Sequence, residues 1–271
     1  MTDDLGDIIQ YYDSHKEAED QRLERHRLEH ELTWRYFNKY LPPEGSILEI
    51  GAATGRYTVD LAKKGHPVTA VDMSVALLNE CRKRVAEAGL NEKVQFVLAD
   101  ARDLGQVIPE KFDVVLLMGP LYHLVVEADR KLALKQAHDR LRERGMLFSS
   151  FISRFGILGE LMRNTPEWIE NQAEVRSVLA EGKDPGDHPH GGFRGYFART
   201  HEAIALHEGA GFETVVLAGV EPGISADDES YNRLEGRQRE LWLDLLYEVS
   251  TEPSIVGASR HLLYVGRKRN A

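Results

Sequence analysis

The small-residue loop from Gly51 to Gly55, with the sequence GAATG, is the part of the chain best suited to hold a ligand. It follows the short apolar run 47–50, and a helical pattern begins directly after it. Because the loop lacks bulky side chains, its backbone N–H groups and the start of the helix can come close to a bound molecule. These features predict a ligand that lies against the main chain.

Two carboxylates accompany this loop. Glu49 comes just before it, and Asp72 ends the next apolar run about 20 residues further on, the spacing expected for an acid that binds ribose hydroxyls. A dinucleotide site requires G-x-G-x-x-G, whereas the small residues here are spaced Gly51-x-Ala53-x-Gly55. A carboxylate at the strand end suits a cationic ligand better than a pyrophosphate. S-adenosylmethionine (SAM), with its ammonium and sulfonium, therefore fits better than a nicotinamide dinucleotide.

Alternating strand and helix patterns from residue 46 onward predict a parallel sheet with helices on both faces. The first five predicted strands are 47–50, 66–71, 94–98, 112–117 and 146–152. In an open parallel sheet, ligands bind beyond the carboxyl ends of the strands. We therefore expect the loop, Asp72, Asp100 and the segment 118–123 to meet at one edge of the sheet.

A helical extension precedes the first strand. The apolar residues of segment 3–12 predict a short helix that docks on the remainder of the chain. Ser14 and Glu17 form a capping-box pattern, which predicts a long helix from Ser14 to about Tyr40. We therefore assign residues 1–45 to an N-terminal helical cap.

Residues 153–194 interrupt the strand and helix alternation of the ligand-binding domain, 46–271. Long insertions at this end of an α/β sheet are commonly lids or substrate walls. The paired His188 and His190 have no nearby cysteine and no His-Glu-x-x-His helix, so this segment predicts a lid, and we expect no metal.

Four ordered motifs resemble those of class I SAM-dependent methyltransferases, type 11/25-like. They are LEIGAATG at 48–55, VDMS at 71–74, ADA at 99–101 and DVVLL at 113–117. The resemblance covers residues 46–152 and, more weakly, the last strands. It implies a doubly wound, mostly parallel, Rossmann-like α/β sheet of seven strands. It also implies SAM as the cofactor, with S-adenosylhomocysteine (SAH) as the product.

The resemblance assigns one part of SAM to each motif residue. The implied cofactor contacts are Gly51, Ala53 and Gly55 along the methionine part, Glu49 near the ammonium, Asp72 on the ribose, Met73 on the adenine face, Asp100 and Ala101 at the adenine edge, and Met118 through its backbone. The chain departs from the family where Ala52 and Ala53 replace a commoner glycine-containing pair. Alanine is compatible with this loop only if its φ is negative.

Candidate acceptor residues come from two segments. His123 is a candidate general base because a neutral imidazole accepts a proton near pH 7; the alternative is a histidine that packs against the loop. Tyr122 either lines the acceptor pocket or belongs to the core. Tyr11, Tyr12 and Arg35 are candidates to close over the cofactor, the alternative being ordinary helix packing. Residues 119–122 lack the Asn/Asp-Pro-Pro-aromatic signature with which resembling methyltransferases methylate the amino groups of bases or of glutamine. This difference counts against those acceptors.

Composition narrows the remaining possibilities. A formal net charge of −10 argues against broad binding to nucleic acid. Cys81 is the single cysteine, which excludes an intramolecular disulfide and a multi-cysteine zinc site. No apolar run approaches the roughly 20 residues of a membrane span, and the polar start of the sequence lacks a secretory signal pattern. We expect a cytoplasmic protein.

Taken together, the sequence predicts a methyltransferase that moves the SAM methyl group to an oxygen or nitrogen of a small-molecule acceptor by direct displacement. The alternatives are an RNA or protein methyltransferase, a SAM-binding protein without catalysis, and, third, an NAD-dependent dehydrogenase.

Overall fold

The computed structural model describes residues 3–105, 107–184, 194–222 and 227–270. The strands are β1 (Ile47–Ile50), β2 (Val68–Asp72), β3 (Val94–Leu98), β4 (Phe112–Leu117), β5 (Leu141–Ser153), β6 (Lys183–Asp184), β7 (Gly195–Ala198), β8 (Phe212–Gly219) and β9 (His261–Lys268). The helices are α1 (Gly6–Ser14), α2 (Lys16–Asp20), α3 (Arg22–Arg25), α4 (Arg27–Tyr40), α5 (Arg56–Lys63), α6 (Val75–Glu87), α7 (Pro120–His123), α8 (Glu127–Arg140), α9 (Leu158–Asn164), α10 (Gln172–Glu181), α11 (Thr200–Gly209), α12 (Asp228–Asn232), α13 (Gly236–Val249) and α14 (Pro253–Ala258). None of the described helices has the length and apolar character needed to cross a membrane.

Seven strands lie side by side in the order β3-β2-β1-β4-β5-β9-β8. Strands β1 to β5 run parallel, whereas β9 is antiparallel to both of its neighbours. Two short strands extend this sheet, because β7 pairs with the end of β5 and β6 pairs with β7. The sheet therefore has nine strands in the described residues, and not the seven predicted. The mostly parallel α/β architecture agrees with the prediction.

The sheet has a hydrophobic core on each face, because successive residues of a strand point to opposite sides. Leu48 and Ile50 of β1 belong to the core that contains residues of α1, α8 and α11. Ile47 belongs to the opposite core, which contains residues of α4, α5, α6 and α13. Since Glu49 alternates with Leu48 and Ile50, it faces the side on which α5 packs.

The N-terminal segment is less regular than predicted. Helix α1 ends at Ser14, and the Ser14 hydroxyl donates a 2.8 Å hydrogen bond to the carbonyl of Gln10. Ser14 therefore does not cap a new helix. The single long helix predicted from Ser14 to Tyr40 is divided into α2, α3 and α4.

The break before α4 has a tertiary cause. His26 separates α3 from α4, and its Nδ1 lies 3.0 Å from Oδ2 of Asp228 and 2.7 Å from Nη2 of Arg260. Both partners come from the last fifth of the chain, so the local helical pattern carries no sign of them. These contacts fix His26 outside helical geometry.

The insertion after β5 packs through a small core of its own. Its buried members, together with those of α7 and β7, are Tyr122, Ile152, Ile157, Trp168, Val175, Val178 and Phe197. The insertion thus lies against the segment that follows β4. His188 and His190 lie outside the described residues.

Candidate cofactor and acceptor site

A pocket of about 1050 Å³, including its solvent-open part, lies beyond the carboxyl ends of β1, β2, β3 and β4. Most residues that the sequence suggested for the cofactor or the acceptor line it. They are Tyr12, Glu49, Gly51, Ala53, Asp72, Met73, Asp100, Ala101, Met118, Tyr122 and His123. The structure thus brings residues as far apart in the sequence as Tyr12 and His123, 111 positions, to one edge of the sheet.

Two glycines give the loop after β1 its shape. Gly51 and Gly55 have φ values of 81° and 82°, which side-chain-bearing residues rarely adopt. A Cβ at position 51 would lie 2.8 Å from Cδ of Pro120, and one at position 55 would lie 2.5 Å from Sγ of Cys81. Both positions therefore require glycine for conformation and for space.

The alanines of the loop differ from each other. Ala53 has a φ of 48°, so the expectation of a negative φ is wrong for this residue, whereas Ala52 is not among the positive-φ residues. The Ala53 amide donates a 2.8 Å hydrogen bond to Oδ2 of Asp72, which helps to hold the strained conformation. The loop is thus fixed from the end of β2.

Glu49 is buried beneath this loop. Its Oε2 accepts a 2.5 Å hydrogen bond from the Thr58 hydroxyl on α5. Burial raises the pKa of Glu49 to about 8, although the hydrogen bond from Thr58 opposes this shift. A cation arriving in the pocket would favour the ionised carboxylate, since an opposite charge lowers a carboxyl pKa.

Asp72 retains hydrogen-bonding capacity toward the pocket. It is 7% exposed, and its two oxygens accept 2.8 Å hydrogen bonds from the amides of Ala53 and Ser74. Burial raises its pKa, although these backbone amides oppose the shift. A carboxylate offers about four acceptor positions, so capacity remains for a ligand with hydroxyl groups.

The Asp100 carboxylate, at the adenine end, is held by an arginine. Nε of Arg102 lies 3.0 Å from each Asp100 oxygen, and Nη2 lies 2.6 Å from Oδ2. The Arg102 amide also donates to Oδ1 at 2.8 Å. Met73 and Ala101 line the pocket beside it and offer apolar surface for a flat ring. The local sequence gave no indication that Arg102 would grip Asp100 in this way.

Helix α7 carries the two candidate catalytic side chains. Tyr122 and His123 are both 8% exposed, and Tyr122 also packs in the core of the insertion. Tyr122 thus belongs to a core and also lines the pocket, and its contact with an acceptor stays a prediction. Burial raises the pKa of the Tyr122 hydroxyl, so it stays protonated near neutral pH.

His123 is paired with the N-terminal segment. Its Nε2 lies 2.8 Å from the Tyr12 hydroxyl, and the two rings meet edge to face. Burial, followed by the positive charges of Arg194 and Arg22, lowers the pKa of His123 to about 3. The imidazole is therefore neutral at pH 7, but it is a much weaker base than an exposed histidine.

Residues before β1 form a large part of the pocket wall. Of these lining residues, only Tyr12 was predicted to belong to the site. The additional N-terminal lining residues are Leu5, Ile8, Ile9, Glu19, Arg22 and Leu23. Leu5 and Ile8 are 6% and 3% exposed, so α1 is packed down firmly over the site.

Arg22, the first residue of α3, lines the pocket. Its Nη1 lies 2.7 Å from Oε2 of Glu29, and its Nε lies 3.3 Å from Oε1 of Glu19. Glu29 is 4% exposed and occurs three residues before Leu32, on the apolar stripe of α4. A carboxylate on an apolar stripe was the available signal that a buried cation lies nearby.

Three of the predicted site residues do not line this pocket. Arg35 lies 2.6 Å from Asp244 on α13, and the Tyr11 ring stacks on His15. Gly55 lies at the start of α5 and contacts Cys81. Of these three, Gly55 still shapes the site, because its backbone conformation turns the loop.

Two groups of possible metal ligands lie away from the pocket's motifs. They are His26, Glu221 and Asp228, and Glu29, Glu221 and His261. Arg260 lies among them: its guanidinium donates to both Glu221 oxygens and lies 3.2 Å from the oxygens of Asp228. An arginine thus supplies the positive charge in this buried cluster.

The side chains of the pocket are suited to SAM. Asp72 is a buried carboxylate with acceptor capacity to spare, as binding of a ribose diol requires. The positive-φ turns of the loop expose backbone near Glu49, and Asp100 stands beside the apolar surface of Met73. The donor and acceptor set therefore matches a nucleoside joined to a cationic chain.

Known proteins support this assignment. Residues 47–145 match the family described as Methyltransferase domain. Over 138 residues the chain is 24% identical to tRNA 5-carboxymethoxyuridine methyltransferase of Escherichia coli strain K12. This alignment covers 49% of this chain and 51% of the relative. Over 108 residues the chain is 30% identical to ubiquinone biosynthesis O-methyltransferase of Pseudomonas syringae pv. tomato, which covers 40% and 44%. The chain thus spans about half the length of these relatives.

A solved structure extends the likeness to nearly the whole chain. The structure of 1,6-didemethyltoxoflavin-N1-methyltransferase from Burkholderia thailandensis, with bound 1,6-didemethyltoxoflavin and SAH, superimposes with a TM-score of 0.61. It is 17% identical and covers 97% of this chain and 88% of the neighbour, which shows a shared fold. The motifs at the strand ends, the sheet order and the family match agree: residues 47–145 match a methyltransferase family, and the chain has the fold of class I SAM-dependent methyltransferases, with SAM as its cofactor.

Proposed function

We propose that this protein transfers the methyl group of SAM to an oxygen or nitrogen atom of a small-molecule acceptor. SAM supplies an electrophilic methyl group on a sulfonium, and direct displacement by the acceptor leaves SAH. In this proposal the chain's contribution is to bind both molecules, align them and exclude water.

The cofactor contacts follow the pocket wall. Asp72 binds the ribose hydroxyls, and Asp100 accepts from the adenine amino group with Met73 against the ring. The loop backbone at Gly51 lies along the methionine chain, with Glu49 beneath it. These roles are supported by the burial of Asp72 and by the position of both aspartates at adjacent strand ends.

The roofed pocket is the observation that carries the choice of a small acceptor. Helix α1 covers the strand ends through Leu5 and Ile8, and the insertion packs behind Tyr122. We infer that residues 1–45 act as a cap and residues 153–194 as a lid. A compact molecule fits beneath such a cap more readily than a folded macromolecule.

The acceptor end of the pocket combines aromatic and charged groups. Tyr12, Tyr122 and His123 line it together with the ion pair of Glu19 and Arg22. With a pKa near 3, His123 is better suited to accept a hydrogen bond than to remove a proton from a weakly acidic hydroxyl. We propose that His123 and Tyr12 orient the acceptor, and that Tyr122 forms its apolar wall.

RNA is the second candidate acceptor. It is favoured by the name of the relative from Escherichia coli, a tRNA methyltransferase. The net charge of −10 counts against it, because binding to phosphates requires a basic surface.

Incorporation of labelled methyl groups separates these candidates. The protein is incubated with methyl-labelled SAM and, in parallel, a small-metabolite extract, total tRNA or a protein extract. We expect label in the small-molecule fraction, and its loss in an Asp72→Ala variant. Label in RNA or protein alone would overturn the small acceptor. SAH binding without transfer to any fraction would indicate a SAM-binding protein, and binding of NAD but not SAH would indicate a dehydrogenase.

A further inference from the structure

We propose that Arg102 is a positioning residue that couples recognition of the adenine by Asp100 to closure of the N-terminal segment over the cofactor. The proposal rests on the placement of the adenine amino group at Asp100. It adds a connection between the cofactor site and the cap, which are separate parts of the sequence.

The first half of this connection fixes the Asp100 carboxylate. The Nε of Arg102 donates to both Asp100 oxygens, and its Nη2 donates to Oδ2. The backbone amide of Arg102 donates to Oδ1. A planar guanidinium that binds a carboxylate in this forked manner holds it in one orientation. The remaining acceptor direction of Asp100 is thereby held for a ligand.

The second half reaches the start of the cap. Nη1 of Arg102 lies 2.7 Å from the carbonyl oxygen of Asp3 and 2.8 Å from Oδ2 of Asp129. The same Oδ2 accepts a 2.8 Å hydrogen bond from the Asp3 amide. Arg102 and Asp129 therefore hold Asp3 by both its N–H and its C=O. Asp129 is 2% exposed, so this clamp is shielded from water.

Asp3 leads directly into the roof of the pocket. Leu5 and Ile8 follow it, line the pocket and share a hydrophobic core with Ala101, the neighbour of Asp100. An adenine held at Asp100 would lie close to these side chains. Because α1 covers the strand ends, we expect this segment to move when SAM enters and SAH leaves.

Thermodynamic linkage follows from the shared guanidinium. When the cap is closed, Asp3 and Asp129 hold Nη1, and Arg102 in turn orients Asp100. Closure therefore strengthens adenine binding, and adenine binding must strengthen closure by the same factor.

Arg194 provides a comparison within the same molecule. It also holds the cap, through the carboxylates of Asp3 and Asp7 and the carbonyl of Asp4. Among the described residues, its contacts do not include Asp100. Loss of Arg194 should therefore loosen the ligand-free cap, but Arg102 still holds both Asp100 and Asp3 when SAH binds, so the preference for adenine is retained.

The experiment compares Arg102→Gln, Arg194→Gln and Arg142→Gln, the last of which breaks an arginine–aspartate pair remote from the pocket. Binding of SAH and of S-inosylhomocysteine, in which an oxygen replaces the adenine amino group, is measured by calorimetry. Amide hydrogen exchange of residues 4–14 is measured with and without SAH. Thermal unfolding confirms that each variant is folded, and Arg102→Lys replaces Arg102→Gln if the latter is not.

In the wild type and Arg142→Gln, we expect SAH to bind more tightly than the inosyl analogue and to slow exchange in residues 4–14. In Arg102→Gln, the affinity for SAH should fall about tenfold or more, and the ratio of SAH affinity to analogue affinity should approach one. SAH should no longer slow hydrogen exchange in residues 4–14. Arg194→Gln should exchange faster without ligand yet keep the preference for SAH.

An Arg102→Gln variant that keeps both the preference and the protection would overturn the coupling. If the wild type itself does not bind SAH, the cofactor assignment fails first, and the coupling fails with it. If Arg194→Gln loses the preference as fully as Arg102→Gln, cap closure alone accounts for it, and the specific role of Arg102 is rejected.

Discussion

The hydroxyl of Tyr12 lies 2.8 Å from Nε2 of His123, which joins the first helix of the chain to the segment that follows β4. Both side chains line the pocket, at the end that we propose for the acceptor. A cap residue therefore determines the surroundings of the histidine that the sequence suggested as a base. This relationship leads to the first prediction.

Transfer should show no histidine ionisation between about pH 5 and 8, because the pKa of His123 lies near 3 and the imidazole is neutral throughout that range. Tyr12→Phe should lower kcat/KM for the acceptor about tenfold because the hydrogen bond between Tyr12 and His123 is lost, with SAH affinity nearly unchanged. Tyr40→Phe, at the far end of α4, serves as the control. A profile with an inflection near 6.5 that disappears in His123→Asn would instead establish His123 as an ordinary general base.

Asp72→Ala should weaken SAH binding by roughly 1 to 3 kcal/mol, since hydrogen bonds to a charged group are lost and the Ala53 amide loses its acceptor. Asp72→Asn keeps one carbonyl oxygen, so its affinity for SAH should lie between those of Asp72→Ala and the wild type. Calorimetric titration with SAH gives the affinities, and Asp139→Ala on α8 is the surface control. Unchanged affinity in Asp72→Ala would remove this residue from the site.

Glu49→Gln should stabilise the ligand-free protein more at high pH than at low pH. The pKa of Glu49 is raised from 4.5 to about 8, so the stability it contributes in its protonated form is present below about pH 4.5 and is lost as the pH rises through 8. The free energy of unfolding of the variant, relative to wild type, should be about 2 to 4 kcal/mol more favourable at pH 8.5 than at pH 5.

Urea denaturation at the two pH values measures this difference, with Glu87→Gln on the exposed face of α6 as the control. Parallel stability curves for wild type and Glu49→Gln would mean that Glu49 is ionised in the folded protein at neutral pH.

Ala53→Gly should stabilise the protein by about 0.5 to 1 kcal/mol, because relief of the left-handed conformation exceeds the added flexibility of the unfolded chain. Ala52, the preceding residue of the loop, does not have a positive φ, so Ala52→Gly relieves no strain and should destabilise the protein. Thermal or urea denaturation of both variants tests the contrast. Destabilisation of equal size in the two would show that Ala53 is not strained.

The sequence was most informative about the centre of the sheet. The bounds of β1, β3 and β4 agree with the predicted strands, because buried parallel strands are short apolar runs whose ends are marked by polar or small residues. The start of α6 is also set locally, since the Ser74 hydroxyl caps this helix by accepting from the amide of Leu77. Local pattern suffices where the determining contacts are local.

The cap was much less predictable. The helix break at His26 depends on Asp228 and Arg260, and the half-buried position of Arg22 depends on its ion pair with Glu29. A helical periodicity treats each of these charged residues as part of a solvated face. Contacts between segments that are distant in the sequence, and not helix propensity, determine the break at His26 and the position of Arg22.

The clamp on Asp3 also sets an order of events during synthesis of the chain. The carboxylate that accepts from the Asp3 amide belongs to Asp129, 126 residues later, so α1 leaves the ribosome long before its docking surface exists. Its apolar residues, Leu5 and Ile8, must remain unburied until β1 to β4 and the start of α8 have been made. Nascent chains arrested before residue 129 should therefore expose these side chains to chaperones, whereas chains released after the sheet forms should not.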